Sequence, residues 1–253
     1  MTAPPLPTRR DEDWRYADIA VLAPLWPIAE ETRHVTAQDD AQTLIVTPEM
    51  PVRTLHLTLA PGARCDLRLL VADVAYGRIE VRAELGEGAH LELGGAIIGA
   101  SKVRGGSQTL EIVTRVTHTA PNATSNQVIR AVLGSGATGT YLGKVAVARG
   151  ADGTDAAQSV RGMLLDRTAT MNAKPELEIY ADDVKCAHGC AIGELDAGAL
   201  FYMASRGIPP EAAKALMLQA FLAEAFVGAA DEEALTAAAL SRLEALARLE
   251  ALL

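Results

Sequence analysis

The feature that most constrains the fold is an alternation of apolar and polar residues with a period of two, running from about residue 42 to residue 185. Three segments alternate strictly, namely Thr54–Leu59, Arg78–Leu85 and Leu110–Val116. Further strand-like runs occupy 65–71, 127–133, 139–147, 159–165 and 176–180. Because successive side chains of a β-strand point to opposite faces, each segment is predicted to be a strand with one buried face.

No helix-period segment interrupts this stretch, which excludes an alternating β–α–β layout. The alternation alone leaves three architectures open: a sandwich, a barrel and a β-helix. Aromatic residues make up only 4% of the chain, and glycine turns recur after the strands, as at Gly62 and Gly88. These two features favour the stacked coils of a β-helix.

The chain divides into three predicted regions. Residues 1–41 form a proline-punctuated arm, which Trp14 and Tyr16 are expected to anchor to the body. Residues 42–195 form the β core, and residues 196–253 form a helical region. Asp196 is a predicted N-cap, Pro209-Pro210 opens a second helix and Asp231 starts a third. The apolar stripes of the last two helices serve either as core or as a partner's docking surface; they comprise Ala213, Leu216, Met217, Ala220, Phe221, Ala225, Leu235, Leu240, Leu243, Leu246, Leu249 and Leu252.

Composition narrows the class of protein. The 253-residue chain has a formal net charge of -9, so an acidic surface makes nucleic acid an unfavourable partner. Three cysteines, an odd number, favour reduced thiols over a disulfide framework. The N-terminus shows no apolar signal segment, and no window reaches the roughly 20 apolar residues of a membrane span. These features predict a cytoplasmic protein with no membrane partner.

One cluster carries candidate chemistry: Cys186, His188 and Cys190, each separated from the next by one residue. In an extended segment they project to the same side at intervals of about 6.5–7 Å. Thiolate and imidazole together suit iron, zinc and Fe–S clusters. A closed site needs four ligands, and no second Cys/His pair lies nearby in the sequence. The pattern therefore indicates either an incomplete metal site or a reduced cysteine beside a packed histidine. The sequence contains no P-loop and no nucleophile-elbow motif.

Several segments together resemble a known family. The long stretch Lys174–Gly189 is the most specific, and the likeness continues through Gly193–Asp196 and Ala199–Ile208. Glu12–Tyr16 and the segment from His118 to Gln127 are also similar. These residues resemble the SufB/SufD family of the SUF iron–sulfur cluster assembly system, in particular its SufD branch.

The resemblance implies a right-handed parallel β-helix flanked by helical regions, and a scaffold subunit rather than an enzyme. It implies pairing with SufB, β-helix to β-helix, and binding of the ATPase SufC by the C-terminal helices. The implied SufC-docking residues are Leu200, Phe201, Tyr202, Arg206 and Phe221. A nascent Fe–S cluster would be held transiently at the SufB interface by His188 and Cys186.

Cys190 departs from the family pattern, which usually has a small residue there; it is expected to fill a small core site, with metal ligation as the alternative. A SufB-like or self-pairing scaffold remains an alternative to SufD, and a structural zinc protein using all three side chains of the cluster is a further one.

Overall fold

The computed structural model describes residues 4–36, 40–101 and 106–252, with side chains up to residue 246. Twelve strands make up its body: β1 Glu30–Val35, β2 Asp40–Ile45, β3 Val52–Leu59, β4 Arg64–Val71, β5 Tyr76–Leu85, β6 His90–Gly99, β7 Gln108–His118, β8 Thr124–Leu133, β9 Ala137–Val147, β10 Thr154–Leu164, β11 Thr170–Ile179 and β12 Val184–Gly193. Every strand predicted from the alternation coincides with one of these twelve, although the runs 159–165 and 176–180 each extend one residue past the end of the observed strand.

The strands form a parallel β-solenoid. Odd-numbered strands make one six-stranded sheet in the order β1-β3-β5-β7-β9-β11, and even-numbered strands make the other in the order β12-β10-β8-β6-β4-β2. The chain therefore crosses from one sheet to the other at each connection and completes about five turns. This arrangement confirms the predicted parallel β-helix, since each strand pairs with the strand two positions away in the chain.

The interior of the solenoid is built from rows of side chains, one from each coil. Because parallel partners in register point to the same side, an interior residue stacks on interior residues of the next coils. Leu57, Ala83, Val116 and Val145 form one such row, and each is at most 1% exposed. The row ends at the half-buried Leu177 of β11. The alternation of the sequence thus becomes a continuous apolar core.

The N-terminal segment packs on the outer face of the odd sheet. It contains a short turn at Glu12–Trp14, the helix α1 Ile19–Leu22 capped by Asp18, and a second turn at Ala23–Leu25. The Trp14 ring stacks on the guanidinium of the fully buried Arg78, 3.8 Å from the ring centroid. This contact confirms that Trp14 anchors the segment.

The predicted extent of the arm is wrong at its C-terminal end. Strand β1, which was placed in the arm, already pairs with β3 in the odd sheet, well before residue 42. β1 is exposed at five of its six positions, and its sequence therefore lacks the apolar–polar alternation of a strand with one buried face. What makes it a strand is its backbone pairing with β3, which cannot be predicted from neighbouring residues.

Three helices follow the solenoid: α2 Ala197–Ser205, α3 Pro210–Ala223 and α4 Glu232–Leu252. Asp196 caps α2 by accepting hydrogen bonds from the backbone N–H groups of Gly198 and Ala199. Helices α3 and α4 pack on the outer face of the even sheet and form a helix–sheet cluster of buried residues: Leu70, Ala72, Ala96, Ile98, Ala100, Val132, Leu218, Leu222, Ala225, Phe226, Leu235, Ala239, Leu243 and Leu246. Among the described residues, none of the helices is long and apolar enough to cross a membrane.

The predicted apolar stripe of α3 is partly wrong. Leu216 is 49% exposed and Ala220 is also exposed, whereas Leu218 and Leu222 are buried. Alanine, leucine and methionine surround most of this helix, so its periodicity does not fix the face that packs. The side chains of Leu249 and Leu252 lie outside the described part of α4.

Candidate functional site at the open end of the solenoid

Strands β11 and β12 are the last strands of the two sheets, and they lie at the same end of the solenoid. β12 pairs along one edge with β10, and β11 pairs along one edge with β9. Within the described part of the chain, no strand pairs with their other edges. We call these two edges and the interior-facing side chains of β11 and β12 the open end.

The three predicted site residues lie together on β12. Cys186, His188 and Cys190 pair in register with Ala156, Gln158 and Val160 of β10. Those three partners are buried inside the solenoid, at 1%, 3% and 0% exposure. Since parallel partners in register share a face, the three β12 side chains also point to the interior side. The prediction of an extended segment that presents all three residues on one side is therefore confirmed.

Facing the interior does not bury these residues, because no further coil of the described chain covers β12. Cys186 is half-buried and packs against a small cluster that includes Val145, Val147 and Ala156. His188 and Cys190 are exposed. The reading of His188 as a packed core histidine is thus wrong for this chain by itself.

The expectation that Cys190 fills a small core site is also wrong, since its side chain is exposed. Its register partner Val160 occupies the same interior row one coil earlier and is fully buried. The two positions differ only in what lies beyond them: β12 covers Val160, whereas Cys190 belongs to the last coil.

Neither thiol at the open end is activated by its surroundings. Partial burial raises the pKa of Cys186 above its usual value, and the nearby Asp155 carboxylate adds to the effect. Partial burial also raises the pKa of Cys190. Both thiols therefore carry their protons near neutral pH, and a metal ion that binds them has to displace those protons.

The geometry leaves the ligand set incomplete. Among the described residues, no group of three His, Cys, Asp or Glu side chains is placed to hold a metal ion. The lack of such a group among the described residues disfavours a structural zinc site made by Cys186, His188 and Cys190 alone, and leaves ligand positions for groups from another molecule.

Apolar side chains surround the site at the open end. Ile179 and Ile192 are 41% and 45% exposed, and Tyr180, just past the end of β11, is 61% exposed. Together with the free backbone edges, they make a surface that water solvates poorly.

The residues predicted to dock an ATPase lie on the helices instead. Phe201 and Tyr202 of α2 are 77% and 59% exposed. Arg206, also exposed, lies over the Tyr202 ring at 5.2 Å from its centroid.

The other two predicted docking residues are less accessible. Leu200 is half-buried. Phe221 is half-buried against the helix–sheet cluster, and the Arg130 guanidinium lies 5.8 Å from its ring centroid. Exposed aromatic side chains are therefore confined to α2 within this group.

Comparisons with known proteins agree with this architecture. The family model described as "SUF system FeS cluster assembly, SufBD core domain" matches residues 32–221. The chain is 36% identical over 108 residues to the iron–sulfur cluster assembly protein SufD of Escherichia coli, an alignment that covers 43% of this chain and 26% of that protein. It is 32% identical over 118 residues to SufD of Bacillus subtilis, covering 47% and 27%.

A third relative, the chloroplastic protein ABCI7 of Arabidopsis thaliana, is 39% identical over 118 residues, covering 46% of this chain and 25% of that protein. The chain thus matches about a quarter of the length of these curated relatives. The family model nevertheless spans most of the solenoid and extends through α2 into α3. A parallel β-solenoid with helices after its last coil, matched over residues 32–221 by that model, places this chain in the SufB/SufD family of SUF iron–sulfur cluster assembly proteins.

Proposed function

We propose that the chain is a SufD-type scaffold subunit whose open end pairs with the β-solenoid of SufB, so that His188 and Cys186 contribute to a nascent Fe–S cluster at the junction. The observation that carries this proposal is the position of the two side chains. Each of them is the last member of an interior row of the solenoid, at the coil where a second chain has access to it. No catalytic residue of the chain's own is proposed.

The open end suits a second solenoid better than a globular partner. Two parallel edge strands present rows of unpaired N–H and C=O groups, and an edge strand from each sheet of a partner would pair with them. The apolar side chains of Ile179 and Ile192 would become buried in the same contact. Pairing would also continue the interior rows, and so give His188 and Cys186 the covered surroundings that Gln158 and Ala156 already have.

The chemistry of the junction follows from its incomplete ligand set. An imidazole nitrogen and a thiolate are both ligands of iron in Fe–S proteins. Because the described residues place no group of three such side chains to hold a metal ion, His188 and Cys186 would supply only some of the ligands of a growing cluster, and the partner would supply the rest. The cluster is cargo that leaves the junction, so incomplete coordination by this chain suits its transfer. Cys190 is the next residue of β12 that faces the interior side, and we keep it as an alternative additional ligand.

The helical region is proposed to bind the ATPase SufC through α2. Phe201 and Tyr202 are large aromatic side chains exposed on a helix of which no residue is buried. Exposed aromatic residues of this kind are enriched at protein interfaces. Leu200, Arg206 and Phe221 would border or support this surface.

The deciding experiment is His188→Ala in a complex reconstituted with SufB and SufC. His188 is exposed in the chain, so the variant should fold and assemble normally, as judged by size-exclusion chromatography. We expect Fe–S cluster formation, followed by visible absorbance, to be lost. His34→Ala is the matched control, because His34 is an exposed histidine on β1, the edge strand at the other end of the odd sheet. Cluster formation at the wild-type rate in His188→Ala would refute the role of this residue.

The two proposed partner surfaces have their own test. Ile192→Lys places a charge in the proposed β-solenoid junction and should abolish co-purification with SufB while leaving SufC bound. Phe201→Ala with Tyr202→Ala should have the opposite effect. If neither variant alters either partner, the assignment of both surfaces fails.

Two members of the same family remain as second candidates, a SufB-like scaffold and a self-pairing one. The open end favours self-pairing as strongly as pairing with SufB, because a second copy also offers two edge strands. The mass of the purified chain in solution separates them: a stable dimer formed through β11 and β12, broken by Ile192→Lys, would favour self-pairing. A cytoplasmic location stays a prediction.

A further inference from the structure

A row of polar side chains leads from the interior of the solenoid to His188. Gln127 of β8, Gln158 of β10 and His188 of β12 are consecutive register partners in the even sheet, so all three point to the interior side. Gln127 is 0% exposed and Gln158 is 3% exposed. Beyond Gln127 the same row continues with Leu93, where it becomes apolar. We call Gln127, Gln158 and His188 the polar ladder.

Tyr141, which reaches the ladder from the odd sheet, fixes the orientation of the Gln158 amide. The Tyr141 hydroxyl donates to Gln127 Oε1 at 3.2 Å and accepts from Gln158 Nε2 at 3.3 Å. The hydroxyl of Thr114 donates to the same Gln127 oxygen at 2.8 Å. Burial raises the pKa of Tyr141, so its hydroxyl keeps the proton that it donates. With Nε2 directed at the tyrosine, Gln158 Oε1 is directed away from it.

Two buried atoms of the ladder have no hydrogen-bond partner among the described residues, and they are Gln158 Oε1 and Gln127 Nε2. Leaving a buried polar atom unpaired is costly, so such an atom calls for an explanation. An amide oxygen has two lone pairs. Gln158 Oε1 can therefore accept from Gln127 Nε2 on one side and from the imidazole N–H of His188 on the other. Each neighbour lies one strand spacing away, about 4.8 Å.

Building on the proposed function, we propose that Gln158 is a positioning residue for His188: its Oε1 accepts the hydrogen bond of one imidazole N–H and so selects the tautomer whose other nitrogen presents a lone pair at the open end. A histidine that binds a metal does so through its deprotonated ring nitrogen, and a hydrogen bond on the other nitrogen decides which one that is. The exposed ring of His188 is free to turn towards this acceptor.

The rest of the ladder supplies the rigidity that such positioning requires. Tyr141 and Thr114 hold Gln127, and Tyr141 also holds Gln158, so the acceptor is fixed by contacts deep in the covered coils. Only the last member of the ladder, His188, is left to move. A mobile imidazole on a free edge thereby gains a defined orientation without being buried.

The test reads the ring nitrogens of His188 directly, by ¹⁵N NMR of the full chain at pH 8.5, where an ordinary imidazole is neutral. The signals are assigned by their loss in His188→Ala. The wild-type chain should favour one tautomer, and Gln158→Leu should reduce the tautomer ratio about fivefold, the loss expected for one hydrogen bond. Gln158→Glu keeps an acceptor and should retain the preference. Arg161→Ala, on the exposed outer face of the same strand, is the matched control and should change nothing.

Unchanged His188 nitrogens in a folded Gln158→Leu chain would overturn the proposal. Should Gln158→Leu fail to fold, Tyr141→Phe tests the same coupling, because it leaves Gln158 in place but frees its amide to turn; a wild-type tautomer ratio in that variant also overturns it. These measurements need neither partner nor cluster. Failure of the positioning role is therefore distinguishable from failure of the proposed function, which His188→Ala tests by cluster formation in the complex.

Discussion

The middle coils of the solenoid and its last coil follow the same residue pattern but have opposite surroundings. Gln158 and His188 are register partners on adjacent strands, as are Val160 and Cys190. The first member of each pair is buried and the second is exposed. The difference teaches that burial in a solenoid depends on the next coil and not on the strand itself. A residue on the interior side of a strand is exposed if that strand belongs to the last coil.

The reactivity of the three thiols should show this contrast most strongly. Cys65 is 2% exposed in the covered coils, and burial, reinforced by Asp40, raises its pKa to about 12. Cys190, at the open end, is exposed. We expect a thiol reagent at pH 8 to label Cys190 rapidly and Cys186 more slowly, and to label Cys65 only after unfolding.

Single Cys→Ser variants assign each phase of the labelling reaction by mass spectrometry. Protection of Cys190 as complete as that of Cys65 in the isolated chain would show that the last coil is covered, and would remove the contrast between the two regions.

Two glycines on outer faces sharpen the comparison in terms of stability. A Cβ at Gly94 of β6 would lie 1.7 Å from the carbonyl oxygen of Ala225, in the segment that follows α3, whereas a Cβ at Gly189 of β12 would have nothing within 4 Å. We expect Gly94→Ala to lower the free energy of unfolding by about 2–3 kcal/mol, because the backbone segment after α3 has to move away from the sheet. Gly189→Ala should change it by less than about 0.5 kcal/mol.

Urea unfolding of the two variants measures both values side by side. Equal stability of Gly94→Ala and Gly189→Ala would mean that the helices do not pack on the even sheet as described.

A histidine inside the covered coils reports whether that interior excludes water. His118 is fully buried at the end of β7, where its Nε2 lies 3.0 Å from the Ser125 hydroxyl. Burial lowers its pKa to about 4. Below about pH 6.5 the histidine of the unfolded chain binds a proton, whereas the histidine of the folded chain stays neutral until about pH 4. The free energy of unfolding should therefore fall by about 2–3 kcal/mol as the pH drops from 6.5 to 4.

His118→Asn removes this titration, and its stability should therefore depend less on pH over the same window. Urea unfolding at several pH values gives the two slopes, and identical slopes for the variant and the wild type would place His118 in contact with water.

Two arginines on neighbouring strands provide the mildest test. Arg130 and Arg161 are register partners on the outer face of the even sheet. Arg130 is 4% exposed, donates to Glu224 at 2.6 Å and also donates to the backbone oxygen of Ser159, whereas Arg161 is exposed. Arg130→Met should cost about 1–2 kcal/mol of stability, since it removes the ion pair with Glu224 and the hydrogen bond to the Ser159 carbonyl. Arg161→Met should be within about 0.5 kcal/mol of the wild type, and thermal unfolding distinguishes them.

Much of the fold could be predicted because the alternation is a local property. Strands such as β5 and β7 can be predicted from the alternation of neighbouring residues. The cap that Asp196 provides for α2 can likewise be predicted from the residues around it. Strand β6 was not among the segments singled out, because Gly94-Gly95 interrupts its alternation and reads as a turn. Its buried outer positions pack under the helices, which no local pattern records.

The candidate site was predicted in part. The residues of the cluster and their common side followed from one-residue spacing in an extended segment. The exposure of Cys190, and the neighbouring Gln158 with its unpaired oxygen, did not follow, because they depend on which strand pairs with β12 and on what lies beyond it.

By itself the sequence determined that the chain alternates with a period of two, that three helices follow, and that a thiol and an imidazole share one face of a strand near position 188. These properties depend on residues close together in the chain. Only the tertiary structure decided which interior rows are covered, which face of α3 packs, and that Gln158 lies beside His188. Those outcomes depend on contacts between residues far apart in the chain, and burial is set by the whole arrangement of coils and helices around a residue.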